Sequence, residues 1–371
     1  MKRDTGMKAE TRKNLLVSLA AVVLFFAVFE ATLRIFYISS AAELYAPDAE
    51  LERKLAPSHH ALVRARDFEM VVQTNALGLR DAEVGEKRPG VKRVLVLGDS
   101  YPFGYGVKQA EAFPARLEES LQSRGKTVEV INAGVFGWGP DQELIWLRRE
   151  GVKLKPDVVV IAFYVGNDAI DSFTKKFFVV EEGKLKRVKP LLSGEELNAL
   201  EFRSFLRKNF LVYAFLSEQV RTILAARAAS GEGVALNEFE MLRKDYSPDI
   251  EAGMEVSQAV VAEMARVSRE AGAEPLLVVI PTQMQYDGEK WEAVRRQFGL
   301  ESNGFDLEKP DQALQGFARG QGLAVLDLLP ALKEARQAGA LNLPVDGHWN
   351  AAGHEVAAEA LASALAVQGM V

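Results

Sequence analysis

Cysteine is absent from the 371 residues. That excludes disulfides, a thiolate nucleophile and any Cys-based zinc site. Histidine is scarce: His59, His60, His348 and His354 are all there are, so imidazole chemistry has few places to reside. There is no basic excess either, with 45 Lys+Arg against 51 Asp+Glu and a net charge of −6, which argues against a nucleic-acid partner. No P-loop, dinucleotide fingerprint or zinc-protease motif occurs. The hydrophobic fraction of 48% and charged fraction of 26% are those of an ordinary folded protein. The length exceeds the usual range of a single core.

The first long feature is at the N-terminus. Lys2, Arg3, Lys8, Arg12 and Lys13 outnumber Asp4 and Glu10, and an uncharged run from Leu15 to Phe29 follows. Leu15–Tyr37, at about 1.5 Å rise per residue, makes roughly 34 Å of helix, enough to cross a hydrocarbon core of about 30 Å. Glu30 and Arg34, four residues apart, can pair and reach toward the interface. The expectation is a basic cytoplasmic tail over 1–13, a transmembrane signal anchor over 14–38 and an extracytoplasmic body beyond it. Two alternatives stand beside it: a cleaved signal peptide, for which Ser39-Ser40-Ala41-Ala42 offers small residues, and a buried core helix, against which the one-sided charge block speaks. A cysteine-free chain suits an oxidising compartment without proving one.

Residues 39–90 show little periodicity and read as a stalk and lead-in. From Arg93 short apolar runs alternate with helical patterns. Strands are expected at Arg93–Leu97, Val128–Ala133, Val158–Tyr164, Leu276–Pro281 and Leu323–Leu328, and helices at Phe113–Arg124, Pro140–Glu150, Ile250–Ala271 and Ala351–Val367. Alternation of this kind implies a parallel sheet covered on both faces, hence an α/β fold built as a three-layer α/β/α sandwich over 91–371. An insertion is expected at about 173–248, with a hairpin about Gly183 and amphipathic helices over Leu197–Ala229. Its Phe202, Phe205, Phe210, Tyr213 and Phe215 read as core or lid packing, with a substrate or partner face as the alternative.

In doubly wound sheets ligands bind at the carboxyl ends of strands. Those ends deliver Gly98-Asp99-Ser100, Asn132-Ala133-Gly134-Val135-Phe136-Gly137 and Gly166-Asn167-Asp168, and the last helix is preceded by Asp346-Gly347-His348-Trp349-Asn350. A serine hydroxyl becomes a nucleophile when a base takes its proton and a third group orients that base. Ser100, His348 and Asp346 can fill these roles. The Ser100 N–H, a glycine N–H after the second strand and the Asn167 amide can hold an oxyanion. Each signal alone is weak; together, each falls where a strand ends.

With these residues the chain resembles the SGNH (GDSL-type) hydrolase superfamily from Arg93 onward. VLVLGDSYPFGYG carries Ser100 in the nucleophile position, INAGVFGWG the oxyanion glycine, YVGND the oxyanion Asn167, and DGHWNAAGH the acid Asp346 and base His348. The resemblance implies Gly137, rather than Gly134, as the glycine. TNALGLRD (Thr74–Asp81) and FEATLRIF look like membrane-anchored bacterial members. Asp346-x-His348 departs from the Asp-x-x-His of many members and is similar to the D-x-H-W of polysaccharide O-acetyltransferases related to alginate acetylation. The implied fold is SGNH/flavodoxin-like, and the implied function is an anchored serine esterase that hydrolyses acyl esters, O-acetyl above all, on carbohydrate or cell-envelope substrates, without metal or cofactor. A polysaccharide O-acetyltransferase is the first alternative, and a non-catalytic glycan- or partner-binding protein the second. His354 reads as structural, Asp99 as a brace of the serine turn, and His59–His60 or Asp168 with Asp171 as incomplete metal sites.

Overall fold

In a computed structural model of the chain, the described residues are 2–36, 44–217, 219–220 and 237–371. Ser39–Ala42, the end of the expected span at Tyr37, and the 221–229 end of the expected helical insertion lie outside them. The chain divides into two compact units, Met1–Glu43 with Gly194–Ala235, and Leu44–Ser193 with Leu236–Val371.

The first unit contains α1 (Lys2–Phe36), one helix that runs through the expected basic tail and the apolar run. Within it, Thr11–Ile35, with a mean hydropathy of 2.4, is long and apolar enough to cross a membrane.

The second unit is built on a parallel sheet. Its lead-in forms two antiparallel hairpins, β1 (Tyr45–Asp48) with β2 (Glu52–Leu55) and β3 (His60–Arg64) with β4 (Glu69–Gln73). Then come β5 (Lys92–Gly98), α2 (Phe113–Ser123), β6 (Val128–Gly134), α3 (Pro140–Arg149), β7 (Val158–Tyr164) and α4 (Asp168–Lys175). A hairpin of β8 (Phe178–Glu181) and β9 (Lys184–Arg187) turns at Gly183, as its sequence suggests. After α5 (Gly194–Asn209) of the first unit, the second unit resumes with α6 (Pro248–Glu270), β10 (Glu274–Ile280), α7 (Gly288–Phe298), α8 (Lys309–Gly320), β11 (Ala324–Asp327), α9 (Leu329–Arg336) and α10 (Ala351–Val367).

The sheet runs β6-β5-β7-β10-β11 with every pair parallel. Its strands need cover on both faces, and they have it: all seven residues of Val158–Tyr164 are buried. Even-spaced residues Val94, Val96, Val158, Val160, Leu276 and Val278 meet α2, α9 and α10. Leu95, Leu97, Val159, Ile161, Leu277 and Val279, one step out of phase, point to the opposite face, where α3, α4 and α6 pack on one another and α3 and α6 on the sheet. The helices follow local rules. Pro114 opens α2, whose Phe113, Leu117 and Leu121 recur on one buried face. Ser247 caps α6 through its bond to the Ile250 N–H, with Pro248 in the first turn.

Two sequence readings need correction. Residues 44–90 are no stalk: they fold as hairpins within the second unit, which starts at Leu44 rather than 91. Strands of four or five residues are too short for a period of two to stand out. Of the expected insertion at 173–248, Gly194–Ala235 groups with the first unit, while the hairpin β8–β9 and the segment after 236 belong to the second unit. Within the described part of that insertion Phe202, Phe205, Phe210 and Leu216 are exposed rather than packed in a core.

The first hairpin is tied to α3 by Asp48, which accepts from Arg149 Nη1 and Nη2 at 2.8 and 2.9 Å and from the N–H groups of Glu50 and Leu51. Burial raises the Asp48 carboxyl, but these donors outweigh it and bring its pKa down to about 2. The folded value lies below the unfolded one of about 3.9, so the contact stabilises above pH ~4 and is lost between pH ~4 and ~2. Asp48→Asn is therefore expected to cost about 2 kcal/mol at neutral pH and little near pH ~2, read from unfolding midpoints at both.

Candidate active site

In chain order the five strands of the sheet are arranged 2-1-3-4-5, so the direction of winding reverses between β5 and β7. The crevice outside their carboxyl ends is where such sheets hold ligands. Ser100 follows β5 and Asn167 follows β7. An open cleft of about 510 Å³ lies there, lined by Ser100, Gly137, Asn167, Asp346 and His348 together with the cations Arg53, Lys175 and Lys290.

The serine turn is forced by its neighbours. Gly98 has φ +151°, and a Cβ there would stand 2.5 Å from Pro102 Cγ and 3.1 Å from Ala162 Cβ. Only glycine lets the strand end against the one-turn helix Ser100–Phe103. Asp99 caps that helix through the Tyr101 N–H at 3.0 Å. Ser100 is the first residue of the turn, so its own N–H has no partner within the helix.

His348 Nε2 lies 2.8 Å from Ser100 Oγ, and its Nδ1 lies 2.5 Å from Asp346 Oδ1. The Asp99 carboxylate is 3.3 Å from the same hydroxyl. A hydroxyl has one hydrogen to give, and the shorter contact is to the imidazole. Gly347, at φ +92°, makes the two-residue spacing workable: the chain turns back so that Asp346 meets the ring with a single residue between them. Burial raises the Asp346 carboxyl, but the hydrogen bonds and charge of His348 outweigh it and hold it below the ordinary carboxylate range. A carboxylate that stays ionised beside Nδ1 fixes the tautomer with Nε2 free to accept a proton.

Gly134 and Gly137 differ in their surroundings. Gly134 N–H is held by Asn132 Oδ1 at 2.9 Å, and its Cα is enclosed by Pro102 and Phe103. Gly137 lines the cleft. The peptide that carries the Gly137 N–H has its carbonyl, Phe136 O, bound by the Tyr45 hydroxyl, and the Gly137 carbonyl accepts from Arg53 and Lys175, both at 3.0 Å. The first lead-in hairpin thus fixes both sides of this loop. Asn167 Nδ2 gives one hydrogen to Asp99 Oδ2 at 3.1 Å, and an amide nitrogen has a second.

Sequence reading missed the residues behind the base. Asp67, at the turn of the second hairpin, accepts the N–H groups of Val345 and Asp346 on one carboxylate oxygen, at 2.8 and 3.1 Å. Phe68 meets Tyr105 edge-on, and Tyr105 lies 5.0 Å from the His348 ring. On the inner side Trp349 Nε1 donates to Tyr286, whose hydroxyl donates to Asn342, whose amide donates to the Gly347 carbonyl. No sequence signal marks Asp67, which lies 278 residues from Val345. Asp67→Ala releases the turn, and a displaced base is expected to lower kcat/KM by about 10–10²-fold. Asp67→Asn, which keeps an accepting oxygen, should cost much less; equal losses from both would remove Asp67 from this role.

The other candidates fall elsewhere. His354 is buried, and its Nδ1 accepts the Phe113 N–H at 3.2 Å. Burial first, then the charges of His348 and Arg80, push its pKa down to about 3. Asp168 caps the Tyr164 N–H at 2.8 Å, and Asp171 pairs with Lys175 at 2.8 Å. Among the described residues no group of three or more His, Asp or Glu could hold a metal.

Ser, His and Asp thus stand in hydrogen-bonded series at the switch point of a parallel sheet on an α/β fold. Residues 239–370 match the family model described as the SGNH hydrolase-like domain, acetyltransferase AlgX. The match includes Asp346 and His348 and stops short of Ser100, Gly137 and Asn167. No curated protein matches the chain. Solved structures similar to it include TesA, at 17% identity and TM-score 0.39, covering 76% of this chain and 100% of that one. A putative lipolytic protein of the G-D-S-L family from Desulfitobacterium hafniense has 15% identity and TM-score 0.41 over 74% and 99% of the two chains. A catalytic mutant of Axe2, an acetylxylan esterase from Geobacillus stearothermophilus, has 13% identity and TM-score 0.40 over 74% and 94%. None of these carries a substrate over to this chain; what the site can do follows from its own geometry.

Proposed function

We propose that the protein is a membrane-anchored serine esterase with an extracytoplasmic catalytic body, acting on acyl esters, O-acetyl among them, of carbohydrate or cell-envelope substrates. The observation that carries the chemistry is the pair of contacts from Asp346 through His348 to Ser100. Ser100 Oγ attacks the ester carbonyl while His348 Nε2 takes its proton. The carbonyl oxygen becomes an anion held by the N–H groups of Ser100 and Gly137 and the Asn167 amide. Collapse of this intermediate expels the alcohol, which takes the proton from His348, and water repeats the sequence to release the acid. The apolar Thr11–Ile35 and the basic residues before it support an anchor with its N-terminus cytoplasmic.

A second reading is favoured by the acetyltransferase family match over the Asp346–His348 part of the chain. In it the same acyl-enzyme forms, and a sugar hydroxyl rather than water accepts the acyl group. Incubation with a short-chain chromogenic ester and a serine-directed probe, with and without an acceptor oligosaccharide, separates the outcomes. Turnover in water supports the esterase. Labelling with turnover only when the acceptor is present supports transfer, and no labelling of the wild type overturns both in favour of a binding protein.

The oxyanion assignment has its own test. Asn167→Ala removes one donor aimed at developing charge and is expected to lower turnover by about 10²–10³-fold. Turnover at the wild-type level in this variant would remove Asn167 from the role.

A further inference from the structure

Glu30 is a carboxylate inside the apolar stretch Thr11–Ile35 of α1. A charge at such a place is costly unless partners surround it, and residues of this kind in a span mark a purpose. Here the partners are named: Arg34 at 2.8 Å, and the N–H groups of Leu211 and Val212 at 3.1 and 2.9 Å. Arg34 also donates to the Asn209 carbonyl at 2.8 Å, and Phe29 meets Phe215 edge-on with ring centroids 6.0 Å apart. The last turns of α1 therefore hold the segment 209–215. Glu30 lies about 8 Å along the helix axis from Ile35, the end of the apolar run, so the segment sits at the depth where the span leaves the hydrocarbon.

The segment's surface suits that depth. Phe202, Phe205, Phe210, Leu216 and Val220 are each 45–60% exposed, while Arg203, Arg207 and Lys208 stand among them in the last turns of α5. A cluster of large apolar side chains left uncovered, interleaved with cations, is the pattern of a segment that lies in a lipid–water interface. We infer that residues 202–217, with Val220, lie on the outer face of the bilayer, with lipid as the partner of these aromatic and aliphatic side chains. The inference rests on α1 spanning the membrane. The segment would dip its apolar side about 5–10 Å below the headgroups and give the chain a second membrane contact besides its anchor.

The absence of cysteine allows a direct test on the full chain in nanodiscs of phosphatidylcholine with phosphatidylglycerol. Phe205→Cys, Leu216→Cys, Val23→Cys in the middle of the span and Gly183→Cys in the β8–β9 turn would each carry an environment-sensitive fluorophore. Lipids brominated near the headgroup should quench the labels at Phe205 and Leu216, lipids brominated near the chain end should quench the label at Val23, and neither should quench the label at Gly183. Quenching at Val23 with Phe205 and Leu216 as unaffected as Gly183 would overturn the inference and leave the anchor standing. Loss of quenching at Val23 itself would overturn the anchor and the inference with it. Labels at Phe205 and Leu216 shielded from lipid and from aqueous iodide alike would show a protein cover, such as a second copy of the chain, and also overturn it.

Discussion

Ser100→Ala is expected to lower ester turnover by roughly 10⁶-fold and to abolish labelling by a serine-directed probe. Removal of the hydroxyl deletes the attacking atom, and no other hydroxyl stands within reach of His348 Nε2 at a comparable distance among the described contacts. His348→Ala should cost about as much. The double variant should be little worse than either single one, because nucleophile and base act as a unit and the residual rate comes from the oxyanion donors and binding. Asp346→Asn should cost roughly 10⁴-fold, since the amide can present a hydrogen to Nδ1 and favour the wrong tautomer. Losses that multiply across Ser100 and His348 would mean that the two residues do not share a step. Near-wild-type turnover in Ser100→Ala would end the serine-esterase reading.

Arg80→Ala is expected to destabilise the second unit by about 3–5 kcal/mol, the range for stranding the buried partners of a charged group. The Arg80 side chain is buried, and it donates to the carbonyls of Val71, Phe103, Gly104 and Val107 at 2.6–3.1 Å. Burial alone lowers its pKa, to about 10, so it stays charged at neutral pH. Four carbonyls from two segments share one cation, and removal takes a charged donor from each, the buried Phe103, Gly104 and Val107 carbonyls among them. The unfolding midpoint should fall by roughly 10 °C. Arg80→Lys should restore only part of this, because an ammonium with three donors cannot reach four carbonyls in the guanidinium's plane. A midpoint unchanged by Arg80→Ala would show that water can replace the guanidinium.

The sheet was legible because its strands are continuous apolar runs. Val158–Tyr164 has no alternation to misread, and a strand buried on both faces leaves that mark in sequence. Ser100, Asn167, Asp346 and His348 were legible as candidates because strand ends and the turn before a helix are fixed places for ligand-facing groups, and the structure brings them to one cleft. The lead-in was not. His60–Arg64 and Glu69–Gln73 do alternate buried and exposed positions, but over five residues each, among prolines and charges. Their importance lies in contacts that cross the chain: Tyr45 and Arg53 hold the Gly137 loop, Asp67 holds the Asp346 turn, and Arg80 holds the turn after Ser100. Nothing local in the sequence encodes a partner many tens of residues away. The exposed phenylalanines of the insertion were misread for a related reason, since an apolar stripe looks alike whether protein or something else covers it.

The two-residue spacing between Asp346 and His348 has a mechanical consequence. Carboxylate and imidazole belong to one turn, so they travel together, and any shift of that turn leaves their mutual bond intact. Ser100 comes from 248 residues away on a different element. The alignment of base with nucleophile therefore rests on a single contact between distant parts of the chain, Nε2 to Oγ at 2.8 Å, like a latch whose bolt comes already assembled. The plate that holds that latch is Asp67, carried by a hairpin that contributes no atom to the reaction.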